Sequence, residues 1–253
     1  MVDLGGLREA VGEVSRVFAL ASVTKPLVAY AVMVAVEEGA LDLDEPAGPP
    51  GSTVRHLLAH TAGYGFESDA AVLAAPGARR VYSNRGFEVL GVHLEKATGI
   101  PVPVYVSEAV FEPLRMSRTV LDGSPAFGAR STAEDLARFA AELIMPRLIS
   151  PRTAEEFRQV HFPGLPGVLP GVGRYEPLDW GLGVERNFGR PGHWAGQRVS
   201  GSAFGHFGGA GTFLWVDPQR QLGCVCLTDL AFGPWALQAW PPLCDAVAAL
   251  SPR

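Results

Sequence analysis

The sequence predicts an α+β fold in which an antiparallel sheet is flanked by helices and interrupted by a mostly helical insertion. The chain of 253 residues is 47% hydrophobic, which is enough for one large core or two closely packed ones. Helical periodicity dominates up to about residue 174, and short β-branched and aromatic runs follow between 180 and 229. We therefore assign residues 1–40 and 176–253 to a sheet domain and 41–175 to a helical insertion domain.

The first elements come from the N-terminal part of the chain. Apolar residues recur at helical spacing from Leu4 to Val14, which predicts an amphipathic helix, and the run SRVFAL after it has strand character. The segment Ser22 to Glu38 is apolar on nearly all sides and ends before Gly39, a residue suited to closing a helix. A helix without a polar face has to be central and buried.

Three segments of the insertion carry helix signals. TVRHLLAH predicts a short helix, and SNRGFEVLGVHLEKATG has an apolar 3.6-residue period that ends at Gly99. STAEDLARFAAELI opens with the capping box Ser131-x-x-Glu134. The stretch HFPGLPGVLPGVGRYEP is dense in glycine and proline, so we expect a long loop there.

The C-terminal part carries four strand candidates separated by turn signals: WGLGVERNF, SGSAFGHFG, GTFLWVDP and QLGCVCLTD. A last helix is predicted from Pro234 to Leu250. Cys224 and Cys226 lie two residues apart in the fourth candidate and therefore on one face of a strand. We expect them to pack as small hydrophobes with free thiols rather than to hold a metal.

Charge and hydropathy exclude several function classes. The net charge is −5, the isoelectric point is near 5.7 and no basic run occurs, which argues against a nucleic-acid partner. No basic flank followed by an apolar core marks a signal peptide, and the apolar stretch from Leu27 to Val36 is too short to span a bilayer. We expect a soluble, cytoplasmic protein that binds neither nucleic acid nor membranes.

The candidate chemistry begins with Ser22-x-x-Lys25, which places a hydroxyl and an amine one helical turn apart on one face. Serine is a weak nucleophile until a base takes its proton, and lysine can serve because burial lowers its pKa, whereas arginine stays charged. Only two of the 21 basic residues are lysines. Pro26 restricts Ser22 to the helix start, where the backbone favours negative charge. The alternative is that Ser22 is a plain N-cap.

Two further clusters follow along the chain. Tyr82 and Asn84 stand at the head of a predicted helix, where a phenol could move a proton beside an amide that orients a substrate. Alternatively, Ser83 or Asn84 merely caps that helix. The run FGHFGGAGT places His206 in a strand that continues into glycines, which suggests a close approach of another backbone or a ligand, although a turn also explains the later glycines.

The order Ser-x-x-Lys, Tyr-x-Asn, His-x-Gly resembles the serine β-lactamase and penicillin-binding protein superfamily. The resemblance is to the class C β-lactamase-like branch, which includes esterases and D-amino-acid peptidases. The segments TVRHLLAHTAGYG and FGHFGGAGTFLWVDPQRQLGCVCLTD look like family segments in family order, and the resemblance covers about residues 16–230. It implies a β-lactamase/transpeptidase-like fold that works without a cofactor.

The resemblance also implies roles for the site residues. Ser22 corresponds to the acylated nucleophile, and Lys25 and Tyr82 correspond to the pair that transfers its proton. The backbone N–H groups of Ser22 and Gly209 correspond to the oxyanion hole.

Asn84 and His206 correspond to substrate-binding groups. His206 stands where lactam-active members usually carry lysine, and a neutral histidine holds an anion weakly. This implies a preference for esters over β-lactams, with any lactam activity rising as the pH falls towards about 6 and His206 gains a proton.

The favoured function is a serine hydrolase that forms an acyl-enzyme on Ser22 and acts on short-chain esters or on small amides, including D-amino-acid peptides. The first alternative is a true β-lactamase or DD-peptidase, and the second is a catalytically idle scaffold that binds a ligand. Family members carry a pair of strands ahead of the nucleophile. We expect these edge strands to be reduced here and a homodimer to be possible across the open edge.

Competing motifs fit less well. His56 and His60 have a metal-ligand spacing, but Leu57 stands where a zinc peptidase carries glutamate, so we expect no metal. The Gly-x-Ser-x-Gly elbow of α/β-hydrolases does not occur, and no Gly-x-Gly-x-x-Gly opens a helix after a strand.

Overall fold

The computed structural model describes residues 1–3, 6–67, 69, 71–186 and 188–250. In chain order its helices are α1 (Thr24–Glu37), α2 (Val54–Leu58), α3 (Asn84–Thr98), α4 (Val102–Val106), α5 (Ala133–Ile144), α6 (Pro151–Arg158) and α7 (Pro234–Ala249). Its strands are β1 (Val2–Asp3), β2 (Gly6–Leu7), β3 (Phe18–Ala19), β4 (Arg80–Val81), β5 (Val120–Leu121), β6 (Ala129–Ser131), β7 (Gly167–Leu169), β8 (Gly173–Tyr175), β9 (Phe204–Gly208), β10 (Thr212–Asp217) and β11 (Leu222–Cys226).

The main sheet is antiparallel and runs in the order β2-β1-β11-β10-β9. Its two faces are covered by different helices because side chains alternate along each strand. Leu214 and Val216 of β10 join the core formed with α1 and α5. Phe213 and Trp215 point the other way, towards Trp240 of α7. This helix–sheet–helix layering confirms the α+β fold and its β-lactamase/transpeptidase-like architecture.

Helix α1 lies at the centre of the molecule, as its lack of a polar face predicts. Every residue from Thr24 to Met33 is buried. A 3₁₀ turn at Ala21–Val23 leads into the helix, and Gly39 follows its end at a φ of 75°. The predicted helix from Ser22 to Glu38 is therefore confirmed, with its first residues wound more tightly.

Two small sheets lie beside the main one. The first has the order β3-β6-β5 and is antiparallel, and the second has the order β4-β7-β8, in which β4 and β7 are parallel. The second sheet shows that the stretch predicted as a long loop, HFPGLPGVLPGVGRYEP, contains the short antiparallel pair β7 and β8. The division into two domains remains a prediction, and one core includes residues from both assigned parts.

The predicted helix from Leu4 to Val14 is wrong. Within this range Gly6 and Leu7 form strand β2, which pairs with β1 at the edge of the main sheet, and residues 8–14 form neither a helix nor a strand. Leu4 and Gly5 lie outside the described residues. Val2 is fully buried and pairs with Gly223 of β11. Edge pairing and burial outweigh a helical period that two adjacent glycines already weaken. A strand pair thus precedes Ser22, with only two residues in each described strand.

Two further predictions need correction. The segment WGLGVERNF is not a strand, since its described residues make only isolated bridges. Glu185 bridges to Trp180 and to Gly205, and Trp180 also bridges to His161. The N–H of Gly183 binds Leu58 O instead of a neighbouring strand. The N-cap of α5 is Thr132, whose hydroxyl accepts the N–H of Asp135, because Ser131 is still in the β6 ladder.

The structure shows no helix in the described parts of the chain that combines enough length with enough apolar character to cross a membrane.

Candidate active site

Ser22 lies in the 3₁₀ turn that leads into α1. The residue before it, Ala21, has a φ of 46°, a left-handed conformation that costs a non-glycine residue about 1 kcal/mol. The turn is held by Thr212 of β10, whose hydroxyl donates to Leu20 O at 2.8 Å. Strain held in place by the surrounding fold is typical of functional turns.

The Lys25 amine lies beneath Ser22 and is fully buried. Its Nζ lies 2.7 Å from Asn84 Oδ1, 2.9 Å from Ala126 O and 3.2 Å from Ser22 Oγ. The two shorter contacts go to oxygens that only accept hydrogen bonds, and the third goes to a hydroxyl that can also donate. A neutral amine, with two N–H donors and one lone pair, satisfies all three partners when its lone pair faces Ser22.

The environment favours this neutral amine. Burial lowers the pKa of Lys25 well below its usual value, and the distant Glu88 opposes the effect only in part. The partners within hydrogen-bond distance are a hydroxyl, an amide and a backbone carbonyl, so none of them carries a negative charge. Because an unpaired buried ammonium is costly, the site favours the uncharged amine.

Tyr82 and His206 face each other across the same cleft. The register of β9 and β10 pairs His206 with Leu214, so both side chains lie on the α1 face of the sheet. Tyr82 Oη lies 3.3 Å from His206 Nε2, and His206 Nδ1 lies 2.6 Å from Phe207 O. A carbonyl only accepts, so Nδ1 carries the proton, and the unprotonated Nε2 accepts from the Tyr82 hydroxyl.

The charge state of His206 differs from the one predicted from the sequence. Burial is the main cause that lowers the pKa of His206 to about 3. The ring therefore stays neutral at pH 6, and the expected rise of lactam activity towards that pH through a protonated His206 loses its basis. The cause lies in the tertiary structure, since only 2% of the surface of His206 is exposed.

Tyr82 is a neutral phenol in this environment. Burial raises its pKa above the usual value, and a hydrogen bond with Ser22 opposes that rise only in part. The Lys25 amine lies over its ring, 4.8 Å from the centroid. Tyr82 therefore keeps its proton at neutral pH and does not act as a phenolate base in this state.

Helix α3 positions Asn84, its first residue. The cap of this helix is Ser83, whose hydroxyl accepts the N–H of Gly86 at 2.9 Å. Because Ser83 satisfies the helix end, the Asn84 side chain is left to contact Lys25 and to line the cleft. The alternative in which Asn84 is only the cap is thereby excluded.

Strand β9 passes very close to the Ser22 turn at Gly208. A Cβ at this position would lie 2.3 Å from Leu20 O and 3.2 Å from Ser22 N, so only glycine fits. Gly209 follows and lines the same cleft as Ser22. Among the hydrogen bonds of the described residues, neither the N–H of Ser22 nor that of Gly209 has a backbone acceptor.

These groups open into a cleft of about 360 Å³. Four polar side chains line it: Ser22, Tyr82, Asn84 and His206. The remaining lining is glycine and apolar side chains: Ala19, Ala21, Phe66, Phe127, Leu169, Pro170, Phe207, Phe232 and Gly209. No carboxylate and no arginine is among them. A larger groove of about 690 Å³ lies elsewhere, between the N-terminal segment and α7, so size alone does not identify the site.

The structure brings together all the predicted site residues and adds some that the motifs do not reveal. The carbonyl of Ala126 contacts Lys25 at 2.9 Å, although no side-chain motif marks it. His60 stacks on Tyr82 with ring centroids 4.5 Å apart, and its Nδ1 accepts the N–H of Ser83 at 3.2 Å. His60 therefore holds Tyr82 and Ser83 in place.

His56 and His60, the pair with metal-ligand spacing, have separate structural roles. His56 Nδ1 contacts the Thr53 hydroxyl at 2.9 Å and completes the start of α2, whereas His60 lies beyond the end of that helix. Among the described residues, no group of three or more His, Cys, Asp or Glu side chains is placed to hold a metal ion.

Comparison with known proteins shows the relationships of the chain. Residues 13–243 match the family model described as "Beta-lactamase". The crystal structure of a beta-lactamase from Mycobacterium bovis matches with a TM-score of 0.95 and 53% identity, over 98% of this chain and 92% of that one.

Curated relatives match over shorter stretches. Esterase EstB of Burkholderia gladioli is 33% identical over 145 residues, 39% of this chain and 37% of the esterase. The N-acetylmuramyl-L-alanine amidase of Bacillus subtilis is 25% identical over 204 residues, 62% of this chain and 46% of the amidase. The chain thus spans less than half the length of either relative.

Proposed function

The chain belongs to the beta-lactamase family, and on that premise we propose that it is a serine hydrolase that forms an acyl-enzyme on Ser22 and acts on neutral esters. One observation carries the proposal. The buried Lys25 amine directs its two donors at Asn84 and Ala126 and has Ser22 Oγ as its third partner, at 3.2 Å. An uncharged amine in that position is a general base for the serine hydroxyl.

Acylation starts when Lys25 Nζ takes the proton of Ser22 Oγ. The oxygen then attacks the ester carbonyl and forms the new C–O bond, and the carbonyl electron pair moves to its oxygen. The N–H groups of Ser22 and Gly209 are proposed to bind this oxyanion. Such preorganised donors contribute about 3 to 4 kcal/mol each.

The leaving alkoxide departs when the C–O bond of the ester breaks, and it needs a proton. Tyr82 is proposed to supply it, because burial keeps this side chain a phenol. The phenolate then recovers a proton from the Lys25 ammonium, which restores the neutral base. In deacylation a water molecule takes the place of the alcohol, and the same transfers run again to release the acid.

The cleft supports a neutral substrate. Its lining holds neither arginine nor carboxylate, and most of its side chains are apolar. His206, with its pKa lowered to about 3, offers no positive charge near the reacting carbonyl. Esters need less help than amides, since an alkoxide leaves more readily than an amine. An esterase is also among the relatives.

Lactam hydrolysis is the second candidate, because the Mycobacterium bovis structure at 53% identity is described as a beta-lactamase. The lining of the cleft weighs against it. A β-lactam carries a carboxylate close to the scissile bond, and the loss of a charge-assisted hydrogen bond to it costs about 1.5 to 3 kcal/mol.

The nucleophile is tested by covalent labelling. A fluorophosphonate probe should modify Ser22 in the wild type, and Ser22→Ala should abolish both labelling and turnover of p-nitrophenyl butyrate. Ser107→Ala, which changes an exposed hydrogen bond to Glu112, should retain both. An adduct mapped to Ser83, or a folded wild type without any adduct, would contradict the proposal.

The substrate class is tested by comparing kcat/KM for p-nitrophenyl butyrate and nitrocefin at about pH 7.5. The ester should be clearly preferred, and lowering the pH to about 6 should not raise the nitrocefin rate, because His206 stays neutral in this range. The variant His206→Lys should shift the ratio towards nitrocefin. A wild type that prefers nitrocefin would establish the lactamase instead.

A further inference from the structure

A second pocket, of about 330 Å³, adjoins the cleft that contains Ser22. The two share Phe66, Tyr82 and Pro170 as a common wall. Phe66 and Tyr82 stack with ring centroids 5.9 Å apart and planes 26° from parallel, so the wall is a continuous aromatic surface. A substrate whose carbonyl lies at Ser22 can therefore continue across this wall into the second pocket, which we call the arginine pocket.

The arginine pocket differs from the cleft in its charge. Arg79, Arg80 and Arg174 line it, and no carboxylate does. The small sheet β4-β7-β8 sets the positions of two of them, because Arg80 pairs with Gly167 and Val168 pairs with Arg174 across the strands. Arg79 directly precedes β4.

Only two of the three arginines can reach a ligand with their guanidinium groups. Arg80 is buried, and its N–H groups donate to backbone carbonyls such as Leu178 O at 2.6 Å and His161 O at 2.8 Å. Arg79 and Arg174 are exposed. Among the described residues, Arg79 donates to Leu73 O at 3.1 Å, and Arg174 lies 3.9 Å from Glu176, a weak pair in which both side chains are more than 70% exposed.

The wall of the arginine pocket is also apolar. Leu73 is 56% exposed, Val168 is 55% exposed and Phe66 is 40% exposed, and all three line it. Large apolar side chains grouped at the mouth of a cleft indicate a binding surface more than a solvated one. Apolar lining together with two available guanidinium groups suits a ligand that is itself amphiphilic.

We propose that the arginine pocket binds the anionic end of the substrate: an amphiphilic ester in which an apolar chain separates the scissile carbonyl from a carboxylate, sulfate or phosphate group. This rests on the proposed function, because it places the reacting carbonyl at Ser22. The negative charge has to be remote from that carbonyl, since the cleft around it offers no exposed cation. Arg79 and Arg174 would pair with the anion, and Phe66 and Val168 would pack against the chain.

The test compares matched ester pairs that differ only in one charge. On the acyl side, p-nitrophenyl monosuberate is paired with the p-nitrophenyl methyl diester of the same diacid. On the alcohol side, 4-acetoxybenzoate is paired with its methyl ester. One pair should show about a tenfold higher kcat/KM for the anionic member, and the pair that does so identifies the side of the substrate in the arginine pocket.

Substitution and salt provide the second measurement. Arg79→Met, Arg174→Met and the double variant should lower kcat/KM for the anionic member stepwise until the double variant shows no preference, with the rate on the neutral member unchanged. Arg152→Met, which replaces an exposed arginine of α6 outside both pockets, is the matched control. Raising NaCl from about 0.02 to about 0.5 M should shrink the wild-type preference, because screening weakens exposed pairs.

The outcomes separate this inference from the proposed function. If neither anionic ester is preferred while the neutral members are hydrolysed in a Ser22-dependent way, the arginine pocket proposal is overturned and the hydrolase remains. A preference that survives the double variant overturns it as well. If Ser22→Ala hydrolyses all four esters at the wild-type rate, the proposed function itself fails.

Discussion

Lys25 can be fully buried because its amine has no need to be charged. Its close partners are neutral oxygens, and the transfer of an unpaired ammonium from water into such a place would cost several kcal/mol. Arginine cannot escape this cost by losing its proton, which explains why a chain that otherwise uses arginine has lysine at this position.

The first prediction at this scale concerns Lys25→Arg. The variant places a permanent cation at this position and has no base for Ser22, so kcat for p-nitrophenyl butyrate should fall by about 10² to 10⁴, as it should for Lys25→Met. Steady-state kinetics on both variants measures the effect, and circular dichroism establishes that each is folded. An arginine variant that keeps most of the wild-type rate would show that Lys25 only supplies charge and that another group is the base.

At the scale of elements, the position of α1 depends on the turn that contains Gly183. This residue has a φ of 79°, and a Cβ added to it would lie 2.4 Å from Ala29 Cβ and 3.4 Å from Lys25 O. The turn thus packs directly on the segment of α1 that carries the base. The backbone of Gly183 lies so close to α1 that no side chain fits there, and residues 181–184 therefore turn back instead of continuing as a strand.

Gly183→Ala should therefore destabilise the fold by about 2 to 4 kcal/mol, the sum of an unfavourable φ and overpacking against α1. Gly39→Ala is the matched control. It also has a positive φ, of 75°, but nothing lies within 4 Å of the added Cβ, so only about 1 kcal/mol should be lost. Urea unfolding measures both, and kcat should fall for Gly183→Ala alone. Equal losses of stability in the two variants would contradict close packing of the turn on α1.

At the scale of the whole molecule, the buried base links stability to pH. The folded-state pKa of Lys25 lies well below the usual 10.5 of the unfolded chain. Between these two values the unfolded chain binds a proton that the native protein does not. The contribution of Lys25 to the free energy of unfolding is therefore fully present above pH 10.5. It decreases as the pH falls, with a slope of at most about 1.4 kcal/mol per pH unit.

The free energy of unfolding of the wild type, measured relative to Lys25→Met, should accordingly rise from pH 7 to pH 9 by up to about 2.7 kcal/mol. Urea titrations of both proteins at each pH give this difference, and other titrating groups cancel because the two chains share them. A difference that does not change with pH would mean that Lys25 is an ammonium in the folded protein, which would remove the base from the proposed mechanism.

Several parts of the molecule follow from the sequence alone because their signals are local. The spacing of Ser22 and Lys25 places both on one side of the helical segment formed by the 3₁₀ turn and the start of α1. The alternation in β9 and β10 puts His206 on the face of the sheet that covers that helix. A continuous apolar run makes α1 a buried helix without knowledge of its neighbours. For the same reason, the three strands β9, β10 and β11 and the helix α7 are recognisable in the sequence.

Other parts were decided only by the tertiary structure, because they depend on contacts between distant segments. Gly6 and Leu7 lie in a strand and not in the predicted helix because they pair with β1, which in turn pairs with β11. His206 stays neutral because burial lowers its pKa, and this burial is not visible in a motif. The carbonyl of Ala126, 101 residues from Lys25, completes the set of partners that keeps the amine neutral. Local patterns determined which residues are candidates for the site, and desolvation by the packed core decided the charge of Lys25 and His206.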